Sequence, residues 1–257
     1  MKTVIVLGMH RSGTSMVSGV LQLLGVDMGK ELVGKLPSNP LGHFEDRAFL
    51  ELNNDILSSA GGDPFTNIPS YEKIVFQKSK YEDRIRGLIN QRSKCALWGW
   101  KDPRTCLTIE LFVPYLINPF FIVCYRKSEE VADSLYRRGK MDIDMGFRIK
   151  ELYDQRIDYF FKKYPNMLRY NVDFGGIRRD PVKTIHEIKD FLELDYVNDN
   201  VKNAIKFVKS KDEIQKMSKK IMLRQLISLG IKKPWKIPGY LISKISILSG
   251  NNMSNNF

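Results

Sequence analysis

Three groups of residues have types and spacing suited to holding an anion. The first is Gly8-Met9-His10-Arg11-Ser12-Gly13-Thr14-Ser15, between a short apolar run and an amphipathic stretch. A strand that feeds a helix through such a turn aims backbone N–H groups and the positive helix N-terminus at one point, with the hydroxyls of Ser12, Thr14 and Ser15 beside it. The second is Arg126, which closes another apolar run, with Ser134 eight residues later. On a helix opening near Ser128, Ser134 can share a phosphate with Arg126, and a fixed guanidinium fork plus a hydroxyl suits a dianion. The third is Trp98-Gly99-Trp100-Lys101-Asp102-Pro103-Arg104, which puts Lys101 at the end of a further apolar run. Each group has a plain structural alternative: a packing corner at Gly13, a helix-capping Arg126 beside a solvent-facing Ser134, and a surface Lys101 next to a proline turn.

The elements that must position these residues follow from the apolar patterning. Thr3–Leu7, Cys95–Trp100 and Phe120–Tyr125 read as buried strands, with Asn166–Tyr170 as a weaker fourth. Ser15–Leu24 places Val17, Val20, Leu21 and Leu24 on one helical face. A second helix runs from an N-cap at Ser128 to about Arg138, with Glu129 and Glu130 in its first turn. A third opens at Pro181 and carries Val182, Ile185, Ile188 and Leu192 on one side. Strands alternating with helices imply a parallel α/β sheet whose ligands bind beyond the carboxyl ends of the strands. Ser58–Tyr71 and Gly139–Gly146 read as loops, either lids over a site or solvated connections.

The chain has 257 residues, of which 43% are hydrophobic and 27% charged, so it can bury a core and is not a disordered polymer. Cys95, Cys106 and Cys124 form no CxxC pair, and His10, His43 and His186 are the only histidines, which argues against a structural zinc site or a disulfide scaffold and for a reducing compartment. The sequence has no run of about 18 apolar residues, and its first apolar segment is too short for a signal peptide. A cytoplasmic protein is expected. Residues 1–200 carry 29 Lys and Arg against 27 Asp and Glu, whereas residues 201–257 carry 12 against 2. We therefore expect a nearly neutral α/β domain over 1–200. A basic helical extension follows over 201–257, with a disordered Asn-rich end at 251–257. Within 216–248, basic residues such as Lys219, Lys220 and Arg224 alternate with Ile221, Leu223 and Trp235. That composition suits peripheral attachment to an anionic inner membrane surface, or else a sheet cover with solvated lysines.

The first loop resembles a P-loop, but no Lys precedes Thr14 and Arg11 supplies the charge instead. In order along the chain, that loop, the segment Asn39-Pro40-Leu41-Gly42-His43-Phe44-Glu45, the turn Lys101-Asp102-Pro103-Arg104 and the Arg126…Ser134 pair resemble the 3′-phosphoadenylyl-sulfate-dependent sulfotransferases. The match is to the bacterial and glycan- or protein-modifying branch, over roughly residues 1–195. Tyr170, followed by Asp180-Pro181, looks like a later element of the family with about four residues inserted. The resemblance implies a P-loop-like α/β sandwich with a central parallel sheet flanked by helices. It also implies 3′-phosphoadenylyl sulfate as co-substrate, no required metal, and a hydroxyl of a saccharide, lipid or other small molecule as acceptor. By the same resemblance Arg11, Ser12, Gly13, Thr14 and Ser15 cradle the 5′-phosphosulfate, and Arg126 and Ser134 grip the 3′-phosphate. Lys101 stabilises charge on the bridging oxygen, Arg11 also counts among the catalytic residues, and Glu45 takes the acceptor proton, with His43 and Asp46 as the other choices of base. The Arg-Lys-Gly element of the cytosolic branch has no counterpart here, Lys219 and Lys220 being speculative replacements.

Two other classes compete. A P-loop nucleotide kinase or triphosphatase lacks its loop lysine here, and Asp102 imitates a magnesium-holding aspartate only with Lys101 beside it. A non-enzymatic nucleic-acid-binding protein fits the basic tail but not the absence of zinc-finger spacing or interleaved aromatic residues, so no nucleic-acid partner is expected. Magnesium-dependent ATP turnover would mark the first, and salt-sensitive DNA retention the second.

Overall fold

Alternating side chains on two apolar strands organise the structure. In the computed structural model, which describes residues 1–34, 42–139, 141–195 and 199–210, β1 (Lys2–Leu7) lies inside a parallel sheet of order β2-β1-β3-β4. The partners are β2 (Leu97–Lys101), β3 (Pro119–Tyr125) and β4 (Leu168–Asp173), and β1 pairs Val4 with Gly99 on one side and with Phe120 on the other. Val4 and Val6 of β1, with Phe120 and Ile122 of β3, enter one core; Ile5 and Leu7, with Phe121 and Val123, enter the other. That two-residue period, buried on both faces, is what a central parallel strand requires.

The first face is covered by α1 (Thr14–Leu23), α8 (Phe174–Arg179), α9 (Pro181–Phe191) and a helix over 199–210, which sends Val201, Ala204 and Val208 into the core. This last helix spans the position at which the basic extension was expected to begin. The second face is covered by α2 (Arg47–Ser59), α4 (Lys78–Arg92), α5 (Thr105–Phe112), α6 (Ser128–Gly139) and α7 (Ile143–Lys163), with the short α3 (Tyr71–Val75) beside α5. Phe49 of α2 stacks on Trp100 of β2, ring centroids 4.4 Å apart and planes 8° from parallel. Such a pair adds about 0.5–1.5 kcal/mol to the burial of its area.

The α/β architecture with a central parallel sheet agrees with the sequence, and three local expectations are corrected. β2 starts at Leu97, because the Cys95 amide bonds the Arg92 carbonyl in the turn that closes α4. β4 spans Leu168–Asp173 instead of Asn166–Tyr170, because the Met167 amide bonds the Tyr164 carbonyl in a turn; β4 is a mostly exposed edge with little apolar signal. The Gly139–Gly146 loop is cut short by α7, whose N-cap Asp142 accepts from the amides of Asp144 and Met145. Gly146 sits inside that helix because a Cβ there would come within 3.0 Å of the Ala132 backbone on α6. The three cysteines are free, and among the described residues no helix is long and apolar enough to cross a membrane. Asn39–Leu41, Lys219 and Lys220, the basic segment 216–248 and the Asn-rich end lie outside the described residues.

Gly99 lies hard against its neighbour strand: a Cβ there would lie 2.2 Å from the Val4 carbonyl oxygen. Gly99→Ala is expected to cost about 2–3 kcal/mol, lowering the melting temperature by about 5–10 °C. A thermal scan that finds the variant within about 2 °C of the parent would contradict this packing.

Candidate active site

The strand order reverses between β1 and β3, and ligands of such sheets bind at that crevice, beyond the carboxyl strand ends. The loop after β1 fills it. Gly8 has φ 144° and Gly13 φ 95°, and Arg11, at φ 71°, adopts a conformation uncommon for a residue with a side chain. The shape is held from outside. Gly8 N–H donates to Cys106 Sγ at 3.1 Å, and at Gly13 a Cβ would fall 2.4 Å from the Phe174 ring of α8. Helix α1 begins at Thr14 with no side-chain cap and no acidic residue in its first turn, so its positive end is left for an anion. Ser12 Oγ, beside it, is buried without a hydrogen-bond partner.

Arg126 and Ser134 both meet this loop. Arg11 Nε donates to Ser134 Oγ at 2.8 Å, and Arg126 Nη1 donates to the Arg11 carbonyl at 2.9 Å. Arg126 also pairs with Glu130 at 2.8 Å and stacks on Phe174 at 4.3 Å. Ser134 is thus a buried residue joined to Arg11, not a solvent-facing one. Burial, then the charges of Arg138, Arg126 and Arg137, lowers the Arg11 pKa to about 10. The cluster holds more positive charge than its surroundings neutralise, and an anion would relieve it.

On the other side of the loop, Lys101 Nζ lies 2.8 Å from Glu45 Oε1 and 3.4 Å from Ser15 Oγ, and the lysine is 1% exposed. Burial depresses the Lys101 pKa despite the pull of Glu45. Asp102 is fully occupied: one oxygen accepts from Arg104 and the other from Asn53, each at 2.8 Å, so it is not presented as a metal-holding carboxylate. Asp46 caps α2 through the Ala48 amide and pairs with Arg92. His43 receives the Ser15 hydroxyl on its carbonyl at 3.1 Å, and burial lowers the pKa of its ring.

A cavity of about 370 Å³ opens beside these groups, with His10, His43 and Glu45 in its lining. His10 and Arg104 also line it, although their positions in the sequence marked them only as parts of a loop and a turn. Phe65 is brought there by the 60–70 loop, in which Asp63 accepts from the amides of Phe65, Thr66 and Asn67. The Phe65 ring packs on His10 at 4.6 Å. A histidine directly after an apolar strand and glycine was the available signal for the first; Arg104 was marked only as the end of the Lys101–Arg104 turn, and Phe65 only as part of the Ser58–Tyr71 loop.

No protein-family model and no curated protein sequence matches the chain. Solved structures do. The sulfotransferase STF9 from Mycobacterium avium superposes over 80% of this chain and 67% of its own, at 15% identity and a TM-score of 0.50. The sulfotransferase domain of the Synechococcus PCC 7002 olefin synthase covers 79% and 77% at 18% identity, TM-score 0.49. Sulfotransferase STF1 from Mycobacterium tuberculosis H37Rv covers 80% and 70% at 13% identity, TM-score 0.48. The likeness to STF9 is one of fold, a P-loop-like α/β sandwich with a central parallel sheet.

His10 generates a pH dependence. Burial, followed by the charges of Arg104, Lys101 and Arg138, holds its pKa well below the usual value. As the pH falls through about 6.5, the unfolded chain takes up a proton at His10 that the folded chain refuses, so stability drops by up to about 1.4 kcal/mol per pH unit. His10→Gln should remove that part of the slope, giving a smaller fall between pH 7.5 and pH 5.5 in urea unfolding. Parallel falls in parent and variant would show that His10 protonates freely in the folded state.

Proposed function

We propose that the protein is a sulfotransferase that moves a sulfuryl group from 3′-phosphoadenylyl sulfate to a hydroxyl of a saccharide, lipid or other small acceptor. The observation that carries this is the placement of basic side chains on two sides of one loop: Arg126, bonded to the Arg11 carbonyl, with Ser134 on one side, and Lys101, paired with Glu45, on the other. A donor with one phosphate at the 3′ position and a phosphosulfate at the 5′ position needs two such centres. A triphosphate chain needs a loop lysine and a metal-holding aspartate, and neither is presented here.

In this reading the amides and hydroxyls from Arg11 to Ser15 hold the 5′-phosphosulfate, and Arg126 and Ser134 hold the 3′-phosphate. The acceptor hydroxyl gives its proton to Glu45 as its oxygen bonds to sulfur. The bond from sulfur to the bridging oxygen of the 5′-phosphate breaks, and 3′-phosphoadenosine 5′-phosphate leaves with the electron pair. Lys101 stabilises the charge that grows on that bridging oxygen. As Lys101 turns towards the donor, Glu45 is freed from its ion pair to take the acceptor's proton. Asp46, with its cap and its arginine, is less suited to the task than Glu45.

Glu45→Gln should keep nucleotide binding and slow formation of 3′-phosphoadenosine 5′-phosphate from the donor, measured with a panel of alcohol acceptors, by about 10²–10⁴-fold. Lys101→Ala should lower the rate more than the donor affinity. Near-parental turnover by Glu45→Gln, in protein shown by its melting curve to be folded, would hand the base to His43.

A further inference from the structure

The cavity beside Glu45 is chemically unlike the donor loop. Arg11, Ser12 and Lys101 do not line it; Phe65, Leu135 and Met141 give it apolar surface. Three buried polar atoms around it have no hydrogen-bond partner: His10 Nε2, His43 Nε2 and Arg104 Nε. Both imidazoles are more than nine-tenths buried, at 8% and 7% exposure. Buried polar atoms are nearly always satisfied, so three orphans around one cavity mark a place where a polar ligand completes them.

The charge balance narrows the ligand. Arg104 gives one guanidinium N–H to Asp102, which neutralises it and leaves Nε without a partner. Arg138, at the end of α6, lines the cavity and has no ion pair among the described residues. Glu45, the one carboxylate in the lining among the described residues, is already paired with Lys101. The cavity therefore has a net positive side and an apolar side, and two imidazoles without partners at Nε2 in its lining.

We infer that this cavity takes an acceptor alcohol that carries an acidic group. The reacting hydroxyl lies at Glu45 within reach of the imidazole nitrogens. A carboxylate, phosphate or sulfate meets Arg104 Nε and Arg138, and the carbon skeleton covers Phe65, Leu135 and Met141. A volume of about 370 Å³ fits a small molecule or the reactive end of a larger one. This rests on the proposed sulfuryl transfer and adds the class of acceptor.

The test is calorimetric titration of the full chain, first saturated with 3′-phosphoadenosine 5′-phosphate, with three hydroxy acids and their primary amides: 4-hydroxyphenylacetate, 3-hydroxydecanoate and glucuronate. At least one acid should bind about tenfold more tightly than its amide, the modest gain expected of a charged contact at an exposed guanidinium. Arg138→Gln should remove that preference, leave the affinity for the amide unchanged, and weaken the nucleotide by clearly less than it weakens the acid. The inference is overturned if no acid outbinds its amide, or if Arg138→Gln weakens the nucleotide as much as the acid, which would make Arg138 a donor contact. Should the nucleotide itself fail to bind, the donor reading falls. The same pairs titrated without nucleotide then judge the cavity alone: an acid preference abolished by Arg138→Gln supports it, and equal binding overturns it.

Discussion

The interaction on which the site depends is the ion pair between Lys101 and Glu45, 2.8 Å apart inside the protein. It fastens the carboxyl end of β2 to the segment that enters α2, and through Ser15 it reaches the first turn of α1. Taking two charges out of water costs several kcal/mol per ion, and two well-packed apolar side chains would hold the same elements at least as firmly. The pair is therefore a poor fastening. Under the proposed transfer, a lysine and a carboxylate kept beside the loop after β1 would separate when a third charge arrives between them.

The same economy runs through the opposite side of the loop. Arg11 is bent into a left-handed conformation, its carbonyl held by Arg126 and its side chain by Ser134, while Phe174 braces both Gly13 and Arg126. A strained backbone and crowded guanidiniums persist where the surrounding packing over-determines them. Here the packing comes from α8, which follows the edge strand β4, so the far side of the sheet sets the shape of a loop that belongs to its centre.

How much of this was legible depended on whether the signal was local. The strands β1 and β3 announce themselves as unbroken apolar runs, and the residues at their ends, Arg11 to Ser15 and Arg126, fall where the sequence places them. α7 was not read from the sequence, and its start fell inside the Gly139–Gly146 loop because Asp142, Ile143 and Asp144 look like a polar connection until Asp142 is recognised as a cap. β4 was displaced because an edge strand has little to bury. The contact of Arg11 with Ser134 spans 123 positions, and the cavity joins His10 to Phe65 and Arg104 from three different segments. No spacing rule along the chain encodes those meetings; they follow from the order of the strands.

The central claim is that one face of the loop reads a phosphate on the 3′ position of an adenosine nucleotide. Calorimetric titration of the parent protein and Arg126→Ala with 3′-phosphoadenosine 5′-phosphate and with AMP tests it most directly. The account predicts that the parent prefers the bisphosphate, and that Arg126→Ala loses about 10–150-fold in affinity for it, the worth of one charge-assisted hydrogen bond. Binding of AMP should hardly change. Equal affinity of the parent for the two nucleotides, or an equal penalty on both in the variant, would contradict it.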